Sequence, residues 1–333
     1  MKRYVTILVL VIVSTFVIHA WLVGIGLFPT GASTQSVIID QLFHVHIWII
    51  SFLFSLIMVT LIYSVVIFRR KKGETGEGAH LTGNSTLEIA WTGIPLMAVL
   101  VLAFVGATTL GEIRAIDPSA LQVRVNAGQW FWQYQYPEYG VTSTELYLPV
   151  SKQVNLQMTS VDVIHSFWVP EFRVKQDLVP GQTTELRVTP SLIGVYKVRC
   201  AELCGLRHAY MEGLVYVVSQ TDFDNWILKQ QSAAPPSPEL RGQQLASQYG
   251  CTNCHSIDGS AMNGPTWLRL AGSNVELTDG STVVADDDYL RTSIISPNTQ
   301  VVMGFQANVM PDFSTVLDQT MVESLIAYIK TLK

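Results

Sequence analysis

Three long apolar stretches occupy the N-terminal third of the chain, at residues 5–28, 47–68 and 89–110. A helix needs about 20 apolar residues to cross the hydrocarbon core of a bilayer. Each stretch therefore predicts a transmembrane helix. Residues 1–28 also suit a signal peptide that ends at Ile18-His19-Ala20. The bulk of Ile18 and the length of the stretch favour a retained helix, and both interpretations stay open.

The pattern changes after residue 117, where short runs rich in Val and aromatic residues alternate with Pro and Gly. Such runs are typical of strands. Their close spacing predicts an all-β sandwich or barrel. The predicted strands lie within residues 121–136, 153–160, 183–189, 194–199 and 213–219.

The C-terminal part is predicted to be helical and separate. Residues 226–238 end in Ser-Ala-Ala-Pro-Pro-Ser-Pro, which is typical of a semi-rigid linker. Beyond it, apolar residues recur every three or four positions from Leu317 to Leu332, as in a helix packed on a core. The predicted organisation is a first helix or signal peptide (1–28), a transmembrane helical hairpin (40–112), a β domain (117–225), the linker (226–238) and an all-α domain (239–333).

Charge then orients the chain. Lys2 and Arg3 precede the first stretch and residues 69–72 are all basic, whereas residues 29–46 hold no Lys or Arg. Basic flanks stay in the cytoplasm. Everything after residue 110 is therefore expected on the outer side of a bacterial plasma membrane. The net charge of −5 argues against a nucleic-acid partner.

All four cysteines fall in two short clusters. Cys200 and Cys204 share twelve residues with His208 and Met211, and residues 251–255 read Cys-Thr-Asn-Cys-His. Sulfur ligands select copper, zinc or iron over hard cations. The second cluster has the spacing that attaches a c-type haem. Two such clusters on one chain suggest that electrons pass between them.

The first cluster has three interpretations. Cys200, Cys204, His208 and Met211 would share one face of a helix, as in an ordinary core, but Gly205 and the strand-like residues before Cys200 favour a loop. A loop with two thiols and an imidazole suits zinc. A nearby thioether suits copper, and paired thiols suggest two bridged copper ions. Among the seven histidines, His165 is the one free to add a second imidazole.

Three motifs together resemble cytochrome c oxidase subunit II over roughly residues 40–225. They are Gly128-Gln-Trp-Phe-Trp132, Val163-Ile-His-Ser-Phe-Trp-Val-Pro170 and Cys200-x3-Cys204-x3-His208-x2-Met211. The resemblance implies a cupredoxin-like domain with a dinuclear copper centre, CuA. It implies that this centre is held by His165, Cys200, the Glu202 backbone carbonyl, Cys204, His208 and Met211.

The resemblance also implies three further roles. Trp130 matches the tryptophan through which electrons enter, although a packed aromatic in a strand would look the same. The Glu202 side chain matches a ligand of a magnesium ion shared with subunit I. Glu88 matches an acidic residue at the mouth of a proton channel, and equally suits a solvated charge at a helix end.

In the second cluster, Cys251 and Cys254 would form thioethers to the haem and His255 would supply an axial nitrogen. A zinc knuckle would need a second Cys/His pair, and none follows. Met310, before a proline, is the favoured sixth ligand; Met303 is the alternative, and Met262 lies too near the motif. Gly264-Pro265 and the helix from Leu325 resemble small class I cytochromes c.

A subunit II fused to a cytochrome c is the pattern of caa-type oxidases. The resemblance implies that electrons pass from a donor protein to haem c, CuA and haem a of subunit I, where O2 is reduced and protons are translocated. A CuA-type nitric oxide reductase and a free-standing membrane-tethered carrier are the alternatives. Residues 239–333 carry ten acidic and five basic side chains, so a basic donor is expected.

Overall fold

The computed structural model describes residues 2–70, 72–73, 75–76, 80, 82–232, 237–314 and 316–333. It separates into two compact units. One comprises residues 1–117 with the short segment Glu171–Arg173, and the other comprises residues 118–170 and 174–333. The first unit is helical, and the second holds a β-sandwich followed by a mainly helical domain.

The first unit consists of three helices, α1 (Lys2–Gly24), α2 (Thr34–Ile67) and α3 (Ser85–Ile113). All three are long and apolar enough to span a membrane. Side chains cap two of the helix starts. The Ser33 hydroxyl accepts the Ser36 amide hydrogen at 3.0 Å, and the Asn84 side chain accepts that of Leu87 at 3.2 Å.

Helices α1 and α2 pack through small and aromatic residues. Ser51 and Ser55 of α2 are fully buried, and Thr15 of α1 is nearly so. The His19 ring stacks on Trp48 with ring centroids 3.6 Å apart. Small side chains let membrane helices approach closely, which accounts for this seam.

The second unit begins with a sandwich of two five-stranded sheets. One sheet, in the order β3-β2-β1-β5-β8, contains Val141–Ser143, Phe131–Tyr136, Leu121–Gly128, Val154–Ser160 and Thr184–Val188. The other, in the order β4-β10-β9-β6-β7, contains Leu146–Pro149, Glu212–Val218, Gly194–Cys200, His165–Trp168 and Lys175–Leu178.

Alternating side chains fill the sandwich. Val123 and Val125 of β1 and Tyr134 of β2 are fully buried, and Val125 pairs with Tyr134 across the strands. Successive strand residues point to opposite faces. Gln133 and Phe131 therefore lie on the outer face of the same sheet.

After the sandwich come α4 (Gln220–Ser232) and the C-terminal domain, with α5 (Pro238–Gln248), α6 (Asp287–Ile295) and α7 (Gln319–Ile329). Helices α5 and α7 touch at Gly242, where a Cβ would lie 1.9 Å from the Ser324 carbonyl oxygen. Glycine is thus required at this crossing. A hairpin of β11 (Asn274–Glu276) and β12 (Thr282–Val284) completes the domain.

Three sequence predictions need correction. Helix α2 begins at Thr34 rather than 47, because the Ser33 cap starts the helix within residues 29–46, between the first two predicted spans. The linker predicted at 226–238 is shorter, since α4 continues to Ser232 and α5 starts at Pro238; residues 233–236 lie outside the described part. The C-terminal domain is not all-α, because β11 and β12 pair.

Candidate metal centres

The first cysteine cluster lies in a loop between two strands, as the sequence favoured. Strand β9 ends at Cys200 and β10 starts at Glu212, with one 3-10 turn at His208–Tyr210 between them. The Cys200 amide donates to the Met211 carbonyl at 3.1 Å, which closes the base of the loop. This loop therefore brings its thiols, imidazole and thioether back to one point.

Six predicted donors converge there. The sulfur atoms of Cys200 and Cys204 are 3.7 Å apart, too far for a disulfide bond of about 2.05 Å. The Nδ1 atoms of His165 and His208 lie 3.8 and 3.6 Å from the Cys200 and Cys204 sulfurs. The Met211 sulfur is 3.8 Å from Cys204 Sγ, and the Glu202 carbonyl is 3.2 Å from Cys200 Sγ.

This donor set suits a soft metal. Within the described residues, His165, Cys200 and Cys204 form a buried group whose ligand atoms all lie within 4.8 Å of one another. Two thiolates with two imidazoles and a thioether match the preferences of copper better than those of hard cations. Close sulfurs flanked by an imidazole on each side fit a pair of bridged ions.

Asp162 orients the buried imidazole. Its carboxylate lies 2.9 Å from His165 Nε2 and accepts the Gln129 amide hydrogen at 2.7 Å. This contact leaves Nδ1 directed at Cys200. Burial alone would lower the pKa of His165, but the hydrogen bonds to Asp162 and Cys200 raise it above its usual value. Sequence reasoning missed Asp162, although it lies three residues before His165.

The two thiols differ in acidity. The hydrogen bond from Cys204 lowers the pKa of Cys200, against the opposing effect of burial. The pKa of Cys204 is raised, because the Cys200 thiolate and burial both disfavour a second negative charge. The pair therefore loses its first proton more readily than its second, and a bound cation would favour loss of both.

Gln129 and Trp130 pack behind the loop. The Gln129 side-chain amide (Nε2) and the Trp130 indole N–H both donate to the Cys204 carbonyl, at 2.8 and 3.2 Å. Trp130 is only 9% exposed. Gly205 has φ +113° and its Cβ would fall 3.2 Å from the Trp130 ring, so glycine permits this contact. The backbone carbonyl of Cys204, a proposed copper ligand, thus accepts a hydrogen bond from the Trp130 side chain.

The second cluster forms a short turn after α5. Cys251–Asn253 is a 3-10 turn, and the His255 amide donates to the Cys251 carbonyl at 2.9 Å. His255 Nδ1 lies 2.7 Å from the Pro265 carbonyl oxygen, which can only accept, so Nδ1 carries the hydrogen. Burial lowers the pKa of His255. The ring is therefore neutral, with the Nε2 lone pair free for a metal.

A mostly apolar pocket adjoins this turn and brings together residues that the sequence separates. Its wall includes Cys251, Cys254, His255, Met310 and Trp130. Gly264 lies against the imidazole, where a Cβ would be 2.7 Å from His255 Cε1. The described lining includes neither Met303, which is 50% exposed, nor Met262. The pocket composition fits a flat apolar group attached at the cysteines.

The remaining predicted residues occupy exposed positions. The Glu202 side chain is exposed on the loop. Glu88 lies in the first turn of α3, where its carboxylate accepts the Asn84 amide hydrogen at 3.1 Å. Glu88 thus stabilises a helix start in the described structure, and its role in proton uptake stays a prediction.

Family models match two parts of the chain. The transmembrane domain of cytochrome c oxidase subunit II matches residues 19–107, and the periplasmic domain of the same protein matches residues 141–218. The second match includes all six donors of the loop site.

Individual proteins with this description are also similar to the chain. A cytochrome c oxidase subunit 2 of Alkalihalophilus pseudofirmus is 30% identical over 307 residues, covering 86% of this chain and 87% of the relative. One of Synechocystis is 31% identical, covering 64% of this chain and 77% of the relative. The periplasmic domain of subunit II from Bradyrhizobium japonicum is 29% identical with a TM-score of 0.34, covering 35% of this chain and 97% of that domain.

Proposed function

Because the chain belongs to the cytochrome c oxidase subunit II family, we propose that it is the subunit through which electrons enter a caa-type oxidase. As a subunit II it forms part of a haem–copper oxidase with subunit I, and its N-terminal helices are membrane spans. We further propose that this subunit holds a copper pair and a covalent haem c, and that it receives electrons from a donor protein.

The convergence of six donors at the loop carries the copper proposal. His165, Cys200, Cys204, His208 and Met211 would hold the two ions with the Glu202 carbonyl. Burial of both sulfurs and of His165 keeps water away from the site. Asp162 fixes the His165 ring, so that the ligands are positioned before a metal arrives.

The second site supports haem attachment. Cys251 and Cys254 would form the thioethers, and His255 and Met310 the axial bonds. Burial raises the pKa of Cys251 to about 12, and that of Cys254 is raised as well, so both thiols are protonated when a haem arrives. The Pro265 carbonyl holds the His255 ring in the tautomer that a haem iron needs.

Trp130 connects the two sites through this chain's own atoms. Trp130 lines the pocket together with Cys251 and Cys254, and its indole N–H donates to the Cys204 carbonyl. Once bound, haem c and CuA would relay single electrons from an outer donor towards haem a of subunit I, where O2 reduction drives proton translocation. A magnesium ion at Glu202 and proton uptake at Glu88 remain parts of the same proposal.

Purification of the intact complex tests the proposal. We expect an EPR signal from a mixed-valence copper pair, an absorption band of a c-type haem, co-isolated haem a and oxygen consumption with a reduced cytochrome. A single zinc without copper would refute the CuA assignment. Nitric oxide reduction without oxygen consumption would favour the reductase, and absence of any catalytic partner would favour the free carrier.

A further inference from the structure

One strand of the sandwich is buried on both faces. In β2, Trp132, Tyr134 and Tyr136 point into the sandwich core, and Phe131 and Gln133 lie on the opposite face yet are only 6% and 9% exposed. On the same outer face of the adjoining strand, Arg124 is exposed. A local cover therefore lies over the start of β2.

The C-terminal domain supplies that cover. Phe131 belongs to the buried cluster of this domain, together with Leu245 and Ala246 of α5. Its ring meets the Tyr249 ring edge to face with centroids 4.9 Å apart. Burial raises the pKa of Tyr249, and the neighbouring Gln133 side chain opposes that shift. A side chain of the sandwich thus completes the core of its neighbour.

Two loops extend the contact. Arg207, between Cys204 and His208, donates to the Asn253 carbonyl. Burial raises the pKa of the Cys254 thiol, and the nearby Arg207 charge opposes that shift. At Gly250, with φ +67°, a Cβ would lie 3.4 Å from the Trp130 carbonyl oxygen. The proposed copper loop and haem turn therefore touch each other directly.

We propose that the β-sandwich and the C-terminal domain are held together at one fixed interface, built on Phe131, Gln133 and Arg207. The C-terminal domain therefore does not move on its linker between a docked and an undocked position. The Phe131 ring in the core of the C-terminal domain and the Arg207–Asn253 hydrogen bond hold the domains together without attraction between opposite charges. The short connection after α4 then joins domains that are already held.

Amide exchange in the full-length chain within the purified oxidase tests the interface directly. We expect protection at residues 129–133 and 249–254, and exchange roughly tenfold faster or more at both segments in Phe131→Ala. Phe131 points away from the sandwich core, so protection of β5 and β9 should persist. Arg124→Gln, on the exposed part of the same face, is the matched control and should change neither segment. Unprotected segments in the wild type, or no effect of Phe131→Ala, would overturn the proposal.

A kinetic arm rests on the proposed function. The measured step is the transfer of one electron from the reduced haem, which is oxidised, to the copper pair, which is reduced by one electron. A tenfold longer flexible connection after Ser232 would slow a searching domain about thirtyfold, because effective concentration falls with the −3/2 power of length.

With a fixed interface, the transfer rate should be unchanged in this long-linker variant and should become length-dependent only when Phe131→Ala is added. A rate that falls with length in the wild-type background contradicts the fixed interface. Absence of haem or copper spectra would instead contradict the proposed function, while the exchange result would still decide the interface.

Discussion

Asp162 connects two segments of the sandwich that the proposed copper site needs, residues 162–165 and the turn at Gln129. Its carboxylate binds the His165 ring and the backbone amides of Gln129 and Val163. Burial alone would raise the pKa of Asp162, but the hydrogen bonds from His165 and the two amides lower it. The residue is therefore an anion at neutral pH, and it fixes the tautomer and the direction of the imidazole.

Replacing this carboxylate tests its role. In Asp162→Asn, we expect copper affinity to fall about 10- to 100-fold, as for other partners of metal-ligating histidines. The copper EPR hyperfine pattern should change while far-UV circular dichroism stays the same. Asp224→Asn, at an exposed position of α4, is the control. Wild-type affinity and an unaltered spectrum in Asp162→Asn would show that the carboxylate does not position His165.

At the scale of elements, the crossing of α5 and α7 holds the C-terminal domain together. Gly242 is buried beneath α7, with Ser324 and Tyr328 close to its Cα. A glycine in a helix costs about 1 kcal/mol relative to alanine. The closeness of the two backbones is the reason for it here.

A single methyl group should disrupt that crossing. Gly242→Ala is expected to lower the free energy of unfolding of the C-terminal domain by about 1–3 kcal/mol, despite the better helix propensity of alanine. Amide exchange of residues 319–329 measures the effect. Gln243→Ala, at an exposed position of the same helix, should leave exchange unchanged or slower. A Gly242→Ala chain as stable as the wild type would mean that the helices adjust freely.

The packing of α1 bears on whether it is kept. Val11 and Thr15 are buried against α2, and Trp48 contacts both His19 and Phe16. Removal of α1 would uncover the small residues Ser51 and Ser55 of α2. We therefore expect the mature protein to retain residues 2–24. N-terminal sequencing and intact mass of the membrane-extracted chain check this, and a mature N-terminus at Trp21 would contradict it.

At the scale of the whole molecule, the net charge is distributed unevenly between the domains. The ten acidic and five basic residues of 239–333 account for the whole net charge of −5. Such a surface attracts cationic proteins over a Debye length of about 10 Å at 0.1 M salt.

Electron delivery should therefore depend on salt. With a basic cytochrome as donor, the second-order rate of haem reduction is expected to fall as ionic strength rises. An uncharged small-molecule reductant provides the control and should show little dependence. Stopped-flow absorption at increasing salt gives both rates, and a salt-independent rate with the basic donor would exclude electrostatic recruitment.

Several elements were predictable because local patterns carry them. The three apolar stretches lie in long helices. The short Val-rich and aromatic runs form strands of a sandwich, one of the two architectures that the sequence predicted. The boundaries of the elements were harder to predict. The start of α2 depends on the Ser33 cap, which lies between the first two apolar stretches. The β11–β12 hairpin was missed because its strands are only three residues long.

The sequence by itself determined the ligand types, since sulfur and imidazole spacing restricts the metal, and the counting of histidines left His165 for the loop. Tertiary structure alone decided which groups support them. Asp162, Gln129 and Arg207 act on the sites through contacts across separate strands and loops, and Phe131 lies in the core of another domain. Ligands that lie in one loop can be recognised from their spacing in the sequence. Contacts between distant segments arise only when sheets and helices pack.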